Sequence, residues 1–149
     1  MPYPEKNKYT NLKNIETIVF SELSSLQIQR FINLIKINYL QNNANTFLPE
    51  QQNVVPYLDG HNSSSFVSLY NEDYYVADLK KGTTVVDKQI IGAMTSRPVY
   101  VVINNGIKAA TFTAYYVAYL CVDKLRRKKG IAQQLIQTHH YNQSHINKN

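Results

Sequence analysis

Near its C-terminal end the chain passes directly from an apolar segment through a basic loop into a helical pattern, and this order narrows the possible folds sharply. Residues 116–122 are apolar and predict a strand, while residues 131–136 carry apolar side chains at helical spacing. Gly130 comes immediately before that helix. Main-chain N–H groups in a first helical turn lack intrahelical partners, and a glycine lets an anion approach them closely. The passage therefore predicts a phosphate site, with cations at Lys124, Arg126, Arg127, Lys128 and Lys129 and the helical pattern at Ile131, Ala132, Leu135 and Ile136.

Two simpler interpretations of the basic loop remain open. A run of Lys and Arg can be the solvated start of a helix, or it can be a nucleic-acid or nuclear-import patch. Here the cations form one short cluster with few aromatic residues between them. Nucleic-acid surfaces more often spread their basic residues along a face. The pattern thus favours a site that binds the phosphates of a small molecule over a surface that binds nucleic acid.

The bulk composition indicates one globular domain. The chain has 149 residues, of which 44% are hydrophobic and 17% charged, so it can bury a sizeable core. The net charge of +6 suits anionic partners but does not choose among them. The single cysteine, Cys121, cannot form an internal disulfide, and it lies in the apolar segment, where a small core residue is expected rather than a nucleophile.

Neither a membrane-spanning segment nor a signal peptide is expected. An apolar run of about 18 residues, the length that a transmembrane helix needs, is absent from the sequence. The first residues, Met-Pro-Tyr-Pro-Glu-Lys, lack the profile of a secretion signal. We expect a cytoplasmic protein without stable membrane insertion.

Taken in order, the chain predicts an α+β domain over residues 15–145. Residues 1–14 are expected to form a flexible arm, and residues 146–149 a polar tail. Ser24 and Gln27 form a capping-box pattern that predicts a helix over about 24–40, after a short apolar run at 15–20. Residues 41–65 predict a long irregular segment. Next come four predicted strands (66–70, 74–77, 89–94 and 98–103), an Asn-Asn-Gly hairpin turn at 104–106, a strand over about 109–122 and a helix over about 130–141.

The basic loop has the form R-x-x-G-x-A, from Arg127 through Gly130 to Ala132, and Val122-Asp123 precedes it. This resembles the acyl-CoA pyrophosphate loop of the GCN5-related N-acetyltransferase (GNAT) superfamily. The resemblance implies a GNAT-like fold, a mostly antiparallel mixed sheet flanked by helices. The superfamily's last strand, helix and strand have no counterpart in this sequence.

Other segments resemble one branch of that superfamily, the N-myristoyltransferases. They are residues 20–39, which resemble the family's first helix, then Asn45 and Phe47, the strand 90–98 that ends in a proline, and the strand 119–122. The resemblance implies transfer of a myristoyl group from myristoyl-CoA to the N-terminal glycine amine of a protein or peptide. In that family the amine attacks the thioester directly, so neither a metal nor a nucleophilic side chain is required.

The resemblance also implies roles for individual residues. The backbone amides of Tyr119 and Leu120 would form the oxyanion hole, and Asn38, Tyr39 and Phe47 would contact the peptide. The four histidines show no spacing typical of metal ligands and are interpreted as surface residues. Residues implied to hold the acyl-CoA are Cys121, Val122, Arg127, Lys128, Lys129, Gly130, Ile131 and Ala132; the histidines are His61, His139, His140 and His145.

Three alternatives to a myristoyltransferase stay open. The segment 41–44 is neutral where the family's is acidic, and the family's general base, a chain-terminal carboxylate, has no evident match. The chain could instead be a GNAT N-acetyltransferase that uses acetyl-CoA, particularly if Phe112, Tyr115 or Tyr116 closes the acyl pocket. It could be a catalytically inactive acyl-CoA-binding module. Nucleic-acid binding through the basic loop is the third and weakest alternative.

Overall fold

The structure, a computed structural model, describes residues 4–38, 51–61, 63–78 and 80–146. These residues form an α+β fold with one four-stranded sheet in the order β1-β2-β3-β4. Every neighbouring pair of strands is antiparallel, so the expected mixed sheet is not seen in the described residues. The elements are β1 (Ile15–Val19), α1 (Ser25–Asn38), α2 (Gln51–Leu58), β2 (Phe66–Asp78), β3 (Thr83–Asn104), β4 (Ala109–Val122) and α3 (Ile131–Ile146), with short 3-10 turns at Phe20–Glu22 and Lys124–Arg126.

The helices cover both faces of the sheet. On one face α1 and α2 pack against alternate residues of β2, among them Val67 and Leu69. On the other face Ile131 and Leu135 of α3 pack against Ile91 and Met94 of β3. The period-2 alternation of strand side chains therefore divides the core into two layers, one on each side of the sheet.

The four short strands predicted between residues 66 and 103 are wrong in number, since they join into two long strands. β2 and β3 pair from Phe66 opposite Ser96 to Asp78 opposite Thr83, with one register shift at Tyr70 and Asn71. The polar residues that interrupt the apolar pattern lie within the strands rather than in turns. Strand pairing thus overrides the local polarity at residues 71–73.

The hairpin between β3 and β4 is confirmed. Asn104 pairs with Ala109, and the amides of Gly106 and Ile107 donate to the side-chain oxygens of Asn104 and Asn105. Pro98 is tolerated inside β3 because it lies beyond the last residue that pairs with β2, so no ladder bond to that strand is lost. The predicted bounds of β4 are confirmed as well.

The helix predictions are confirmed for α1 and α3 but miss α2. Ser24 and Gln27 make both hydrogen bonds of a capping box, at 3.0 and 3.1 Å, and α1 follows. α3 continues to Ile146, five residues past its predicted end. Part of the predicted irregular segment is the eight-residue α2, which was missed because Pro56 lies inside it.

Residues 4–14 contain no helix or strand, yet they are attached to the domain. The Asn11 amide donates to Thr138 Oγ1 at 2.9 Å, and its side chain donates to Gln134 Oε1 at 2.8 Å. The Asn14 carbonyl accepts from the Asn71 amide. The end of the expected arm is therefore hydrogen-bonded to both α3 and β2.

Candidate functional site

The β-bulge in β4 is the first component of the candidate site. Ala118 pairs with Thr95 and Cys121 pairs with Ala93, so Tyr119 and Leu120 together lie opposite Met94 alone. Tyr119 has a φ of 54°, in the left-handed region that a bulky residue rarely adopts. A bulge leaves its extra residue out of the regular ladder and re-aims the backbone there. The two residues expected to form the oxyanion hole thus lie in a bulge.

Packing holds this bulge in place from the side of α1 and α2. The Tyr119 ring meets the rings of Phe31 and Tyr57 edge-on, with centroids 6.3 and 5.7 Å apart. Next to the bulge, the Thr95 hydroxyl donates to the Ala118 carbonyl at 2.6 Å. Such strained backbone persists where its surroundings fix it, which these contacts do.

Cys121 is a core residue, as the sequence predicted. Its side chain is buried in the layer beneath α1, and that burial raises the pKa of the thiol to about 11. A thiol with this pKa stays protonated at neutral pH, so it is a poor nucleophile. Chemistry at the bulge would therefore have to proceed without an acyl-cysteine.

The basic loop begins with a fixed segment. The Asp123 amide donates to the Ile91 carbonyl at 2.8 Å, and the Asp123 carboxylate accepts from the Leu125 amide at 2.8 Å. The Arg126 guanidinium contacts the Glu72 carboxylate at 2.9 Å. These contacts attach the start of the loop to β3 and β2.

Arg127 and Asn38 join the loop to the end of α1. The Arg127 guanidinium donates to the Asn38 carbonyl at 3.0 Å and to the Val122 carbonyl at 3.3 Å. The buried Asn38 side chain accepts from the Lys124 amide at 3.1 Å and donates to the Leu34 carbonyl at 3.0 Å. Both residues anchor the loop in this structure; the roles that the family resemblance implied, a peptide contact for Asn38 and a diphosphate contact for Arg127, stay predictions.

The remainder of the loop is exposed and leads into α3. Lys128 has a φ of 66° and Gly130 a φ of 76°, and both lysines, Lys128 and Lys129, are exposed. The Gln134 amide is bonded to the Gly130 carbonyl, so the amides of residues 131–133 belong to the first turn, which has no intrahelical partners. A Cβ built on Gly130 would meet only the Gln133 side-chain oxygen, at 3.7 Å. The side of Gly130 on which a Cβ would stand is therefore open apart from that oxygen atom.

The cavities formed by the described residues include the following three. An open one of about 760 Å³ lies between α1 and α2, next to Ile32, Lys36 and Val55. A second, of about 270 Å³, is lined by Asn38 and Asp123 among others. A third, of about 140 Å³, lies at the end of α2. None of the three is lined by residues 127–132, and Tyr39 and Phe47, expected to contact the peptide, lie outside the described residues.

His139 contradicts the interpretation of the histidines as surface residues. It is 2% exposed, and its Nδ1 and Nε2 atoms lie 2.7 and 2.8 Å from the hydroxyls of Ser68 and Ser96. Ser96 donates to Gln143 Oε1 at 2.8 Å, so it accepts from Nε2–H, and Nδ1 accepts from Ser68. Burial lowers the pKa of His139 to about 4, so the ring is neutral at pH 7. The helical spacing of residues 131, 135 and 139 could have revealed this buried position.

No group of three or more His, Cys, Asp or Glu side chains in residues 4–38, 51–61, 63–78 and 80–146 is arranged to hold a metal ion. No helix among the same residues has both the length and the apolar character needed to cross a membrane.

Comparisons with known proteins give little further information. No protein-family model matches the sequence, and no curated protein matches it. Among solved structures, a mutant of the BH1408 protein from Bacillus halodurans is 17% identical, with a TM-score of 0.38, over 83% of this chain and 69% of that one. The tetramutant of the same protein is 18% identical, with a TM-score of 0.41, over 89% and 76%. Likeness at this level carries no argument about fold or function.

Proposed function

We propose that this protein is an acyl-CoA-dependent N-acyltransferase with a GNAT-like fold. Its binding site would be the junction of β4, the basic loop and α3. The observation that carries the proposal concerns backbone geometry. Two non-glycine residues among those described have left-handed φ values, Tyr119 in the bulge and Lys128 in the loop, and both lie in this one junction. Strained backbone of this kind concentrates at functional sites.

The junction provides two kinds of group that a thioester of CoA would use. The exposed Lys128 and Lys129, with the first-turn amides of α3, would bind the diphosphate. The Leu120 amide in the bulge, with that of Tyr119, would stabilise the charge that develops on the thioester oxygen. Oxyanion donors of this kind contribute about 3 kcal/mol each to the transition state. Because the loop is exposed and the bulge is firmly packed, the proposal assigns diphosphate binding to the loop and acyl transfer to the bulge.

The amine acceptor would attack the thioester carbonyl directly, so that the carbon–sulfur bond breaks as the amide forms and CoA leaves as the thiol with the proton that the amine loses. Cys121 is buried and protonated, and His139 is enclosed on the opposite face of the sheet with both ring nitrogens hydrogen-bonded. Neither side chain is placed to form a covalent intermediate. In the first form of the proposal, which follows the family resemblance, the donor is myristoyl-CoA and the acceptor is an N-terminal glycine.

One observation favours a second form, in which the donor is acetyl-CoA. The space behind the bulge is filled by Phe31 and Tyr57 on one side of the sheet. On the other side, Leu120 packs against the cluster that contains Met94 and Leu135. A short acyl group needs no channel through these layers, whereas a myristoyl chain does.

Binding calorimetry with acetyl-CoA and myristoyl-CoA tests the shared part of the proposal. We expect micromolar binding of at least one thioester, and about tenfold weaker binding by the Lys128→Ala/Lys129→Ala variant, since two charge-assisted contacts to the diphosphate are lost. The matched control is Lys80→Ala/Lys81→Ala, which removes the same charge in the turn between β2 and β3 and should bind normally. Failure of both thioesters to bind, or equal losses in the two variants, would overturn the proposal.

Turnover separates the two forms. Mass spectrometry of a Gly-initiated peptide and of a primary-amine panel would show which acyl group is transferred. Myristoylation of the peptide selects the first form, and acetylation selects the second. Thioester binding without transfer to any acceptor would reduce the proposal to an inactive binding module.

A further inference from the structure

The outer edge of β4 is unprotected in the described part of the chain. β4 is the last strand in the sheet order and pairs with β3 on one side only. Its 14 residues include no charged residue, no proline and no glycine. Edge strands in monomeric proteins are usually short, charged, interrupted or covered, because a free edge invites pairing with another chain. Before its bulge at Tyr119 and Leu120, β4 has none of the charges, prolines or interruptions that prevent such pairing.

The surface beside this edge is also apolar. Tyr100, Val102 and Ile103 of β3 are more than half exposed, and so is Tyr116 of β4, at 58%. Phe112 and Val117 of β4 are exposed to 46% and 45%. Because successive side chains of a strand point to opposite faces, these exposed apolar residues are divided between the two faces of the sheet. The apolar side chains continue onto both faces of the hairpin, as expected where a sheet is extended by a further strand.

The order of side-chain sizes in β4 identifies the strand that fits. Small residues occupy the first part (Ala109, Ala110, Thr111) and larger ones the last part (Tyr115, Tyr116, Val117). When a strand with this order pairs antiparallel with its own copy about its middle residue, each large side chain lies opposite a small one. Directly opposite side chains lie about 4.5–5.5 Å apart at their Cβ atoms, so pairing large with small residues avoids crowding on the same face.

We propose that a second copy of this chain pairs antiparallel with β4 along residues 109–117, with Thr113 on the two-fold axis. In this register Thr113 lies opposite its own copy, and Phe112 lies opposite Ala114. The remaining pairs are Thr111 with Tyr115, Ala110 with Tyr116 and Ala109 with Val117. Two copies of the four-stranded sheet become one continuous sheet.

Charge and backbone geometry agree with this register. Each chain carries a net charge of +6, so two copies repel each other overall, but the paired segment contributes no charge of its own. The bulge at Tyr119 and Leu120 lies immediately beyond the segment and interrupts regular pairing. The pairing therefore ends before the candidate acyl-CoA site, and the dimer does not depend on the proposed function.

Sedimentation equilibrium tests the dimer with a charge placed on its axis. We expect twice the mass of one chain for the wild type at tens of micromolar. The Thr113→Lys variant should be a monomer, because two like charges would lie directly opposite each other. The control Thr84→Lys adds the same charge to an exposed position of β3 that is remote from β4, and it should remain a dimer. Circular dichroism of all three proteins confirms that they are folded.

Cysteine cross-linking tests the register itself. Thr113→Cys should form an intermolecular disulfide on mild oxidation, since residues opposite each other on antiparallel strands are close enough for the bond. Ala109→Cys should not, because the two copies of residue 109 are about 27 Å apart in this register. The native Cys121 is buried and gives little background.

Three results would contradict the proposed dimer, each in a different way. A wild-type monomer at all concentrations, together with no cross-linking of Thr113→Cys, would overturn the inference and leave the edge to a different protein. A Thr113→Lys variant that remains dimeric would show that copies associate through another surface. Faster cross-linking at residue 109 than at 113 would exclude the proposed register.

Discussion

The two halves of α3 use polar groups in opposite ways. At its N-terminus, the amides of residues 131–133 belong to the first turn, which has no intrahelical partners, and the preceding Lys128 and Lys129 are exposed. Further along the helix, the side chains of Thr138 and His139 are buried and hydrogen-bonded to Asn11, Ser68 and Ser96. α3 thus carries a buried network of hydrogen-bonded polar side chains and an N-terminus whose amides have no partner within the helix.

The difference separates structural polar groups from available ones. The buried network continues from Ser68 to Thr17 Oγ1 at 2.7 Å, and Asn142 donates to the same Thr17 oxygen at 2.9 Å. Because its members are hydrogen-bonded to one another, this network serves to fix α3 on the sheet. The loop before α3 is fixed through Asp123, Arg126 and Arg127. Its last two cations therefore remain for a partner.

Acidification should destabilise the half of α3 that contains His139. We expect this to be the largest of the effects on stability. The pKa of His139 is about 4 in the folded protein against 6.5 in a model compound. Between these pH values the unfolded chain binds more protons than the folded one. The contribution of neutral His139 to the free energy of unfolding is therefore fully present above about pH 6.5 and is lost as the pH drops towards 4. The difference in pKa corresponds to a loss of about 3 kcal/mol, approached as the pH nears 4 and measurable by urea unfolding at pH 7 and about pH 4.5.

The matched variant for this prediction is His139→Gln, which keeps polar atoms but does not titrate. It should be less stable than the wild type at pH 7 and should lose less stability on acidification. Identical slopes of stability against pH for the two proteins would show that His139 is not the responsible group.

Substitution of Gly92 by alanine tests how closely α3 packs against β3. A Cβ on Gly92 would lie 3.0 Å from Leu135 Cδ1 and 3.3 Å from Ile131 Cγ2, so Gly92→Ala should cost about 1–3 kcal/mol. Combining it with Leu135→Ala should cost less than the sum of the two single changes, because the added methyl group enters the space vacated. Thermal unfolding of the three variants measures this coupling, and strict additivity would contradict close packing of α3 on β3.

Asn38 gives a smaller test of how the loop is anchored. Asn38→Ala removes the acceptor for the Lys124 amide and the donor to the Leu34 carbonyl, and should cost about 1–2 kcal/mol. Asn38→Asp retains the acceptor and should preserve more of the order of the loop. Hydrogen exchange at Lys124 measures the result, and equal protection in the two variants would mean that the amide does not depend on Asn38.

Much of the fold could be predicted from the sequence where local chemistry and tertiary packing agree. The capping box at Ser24, the Asn-Asn-Gly hairpin and the whole of β4 are confirmed because each depends on neighbouring residues. α2 could not be predicted, since a short helix containing Pro56 depends on its packing against α1 and β2. The lengths of β2 and β3 likewise come from pairing with each other.

The candidate site was predictable as a segment but not as a geometry. The sequence located the loop before Gly130, and the structure leaves Lys128 and Lys129 exposed there. It gave no sign that Arg127 would bind the end of α1, because that contact joins residues 89 positions apart. Nor could it show His139 buried between Ser68 and Ser96, which come from two different strands. A local sequence pattern carries no information about contacts between distant segments.

An amide NMR spectrum recorded during titration with CoA tests whether the junction of β4, the basic loop and α3 binds the cofactor. Binding at the junction should shift the amide signals of residues 128–133 and of Leu120 first. The signals of Thr138, His139 and Ser96, in the buried network, should move little. Unchanged signals at residues 128–133 under saturating CoA, or shifts confined to another surface, would contradict the account.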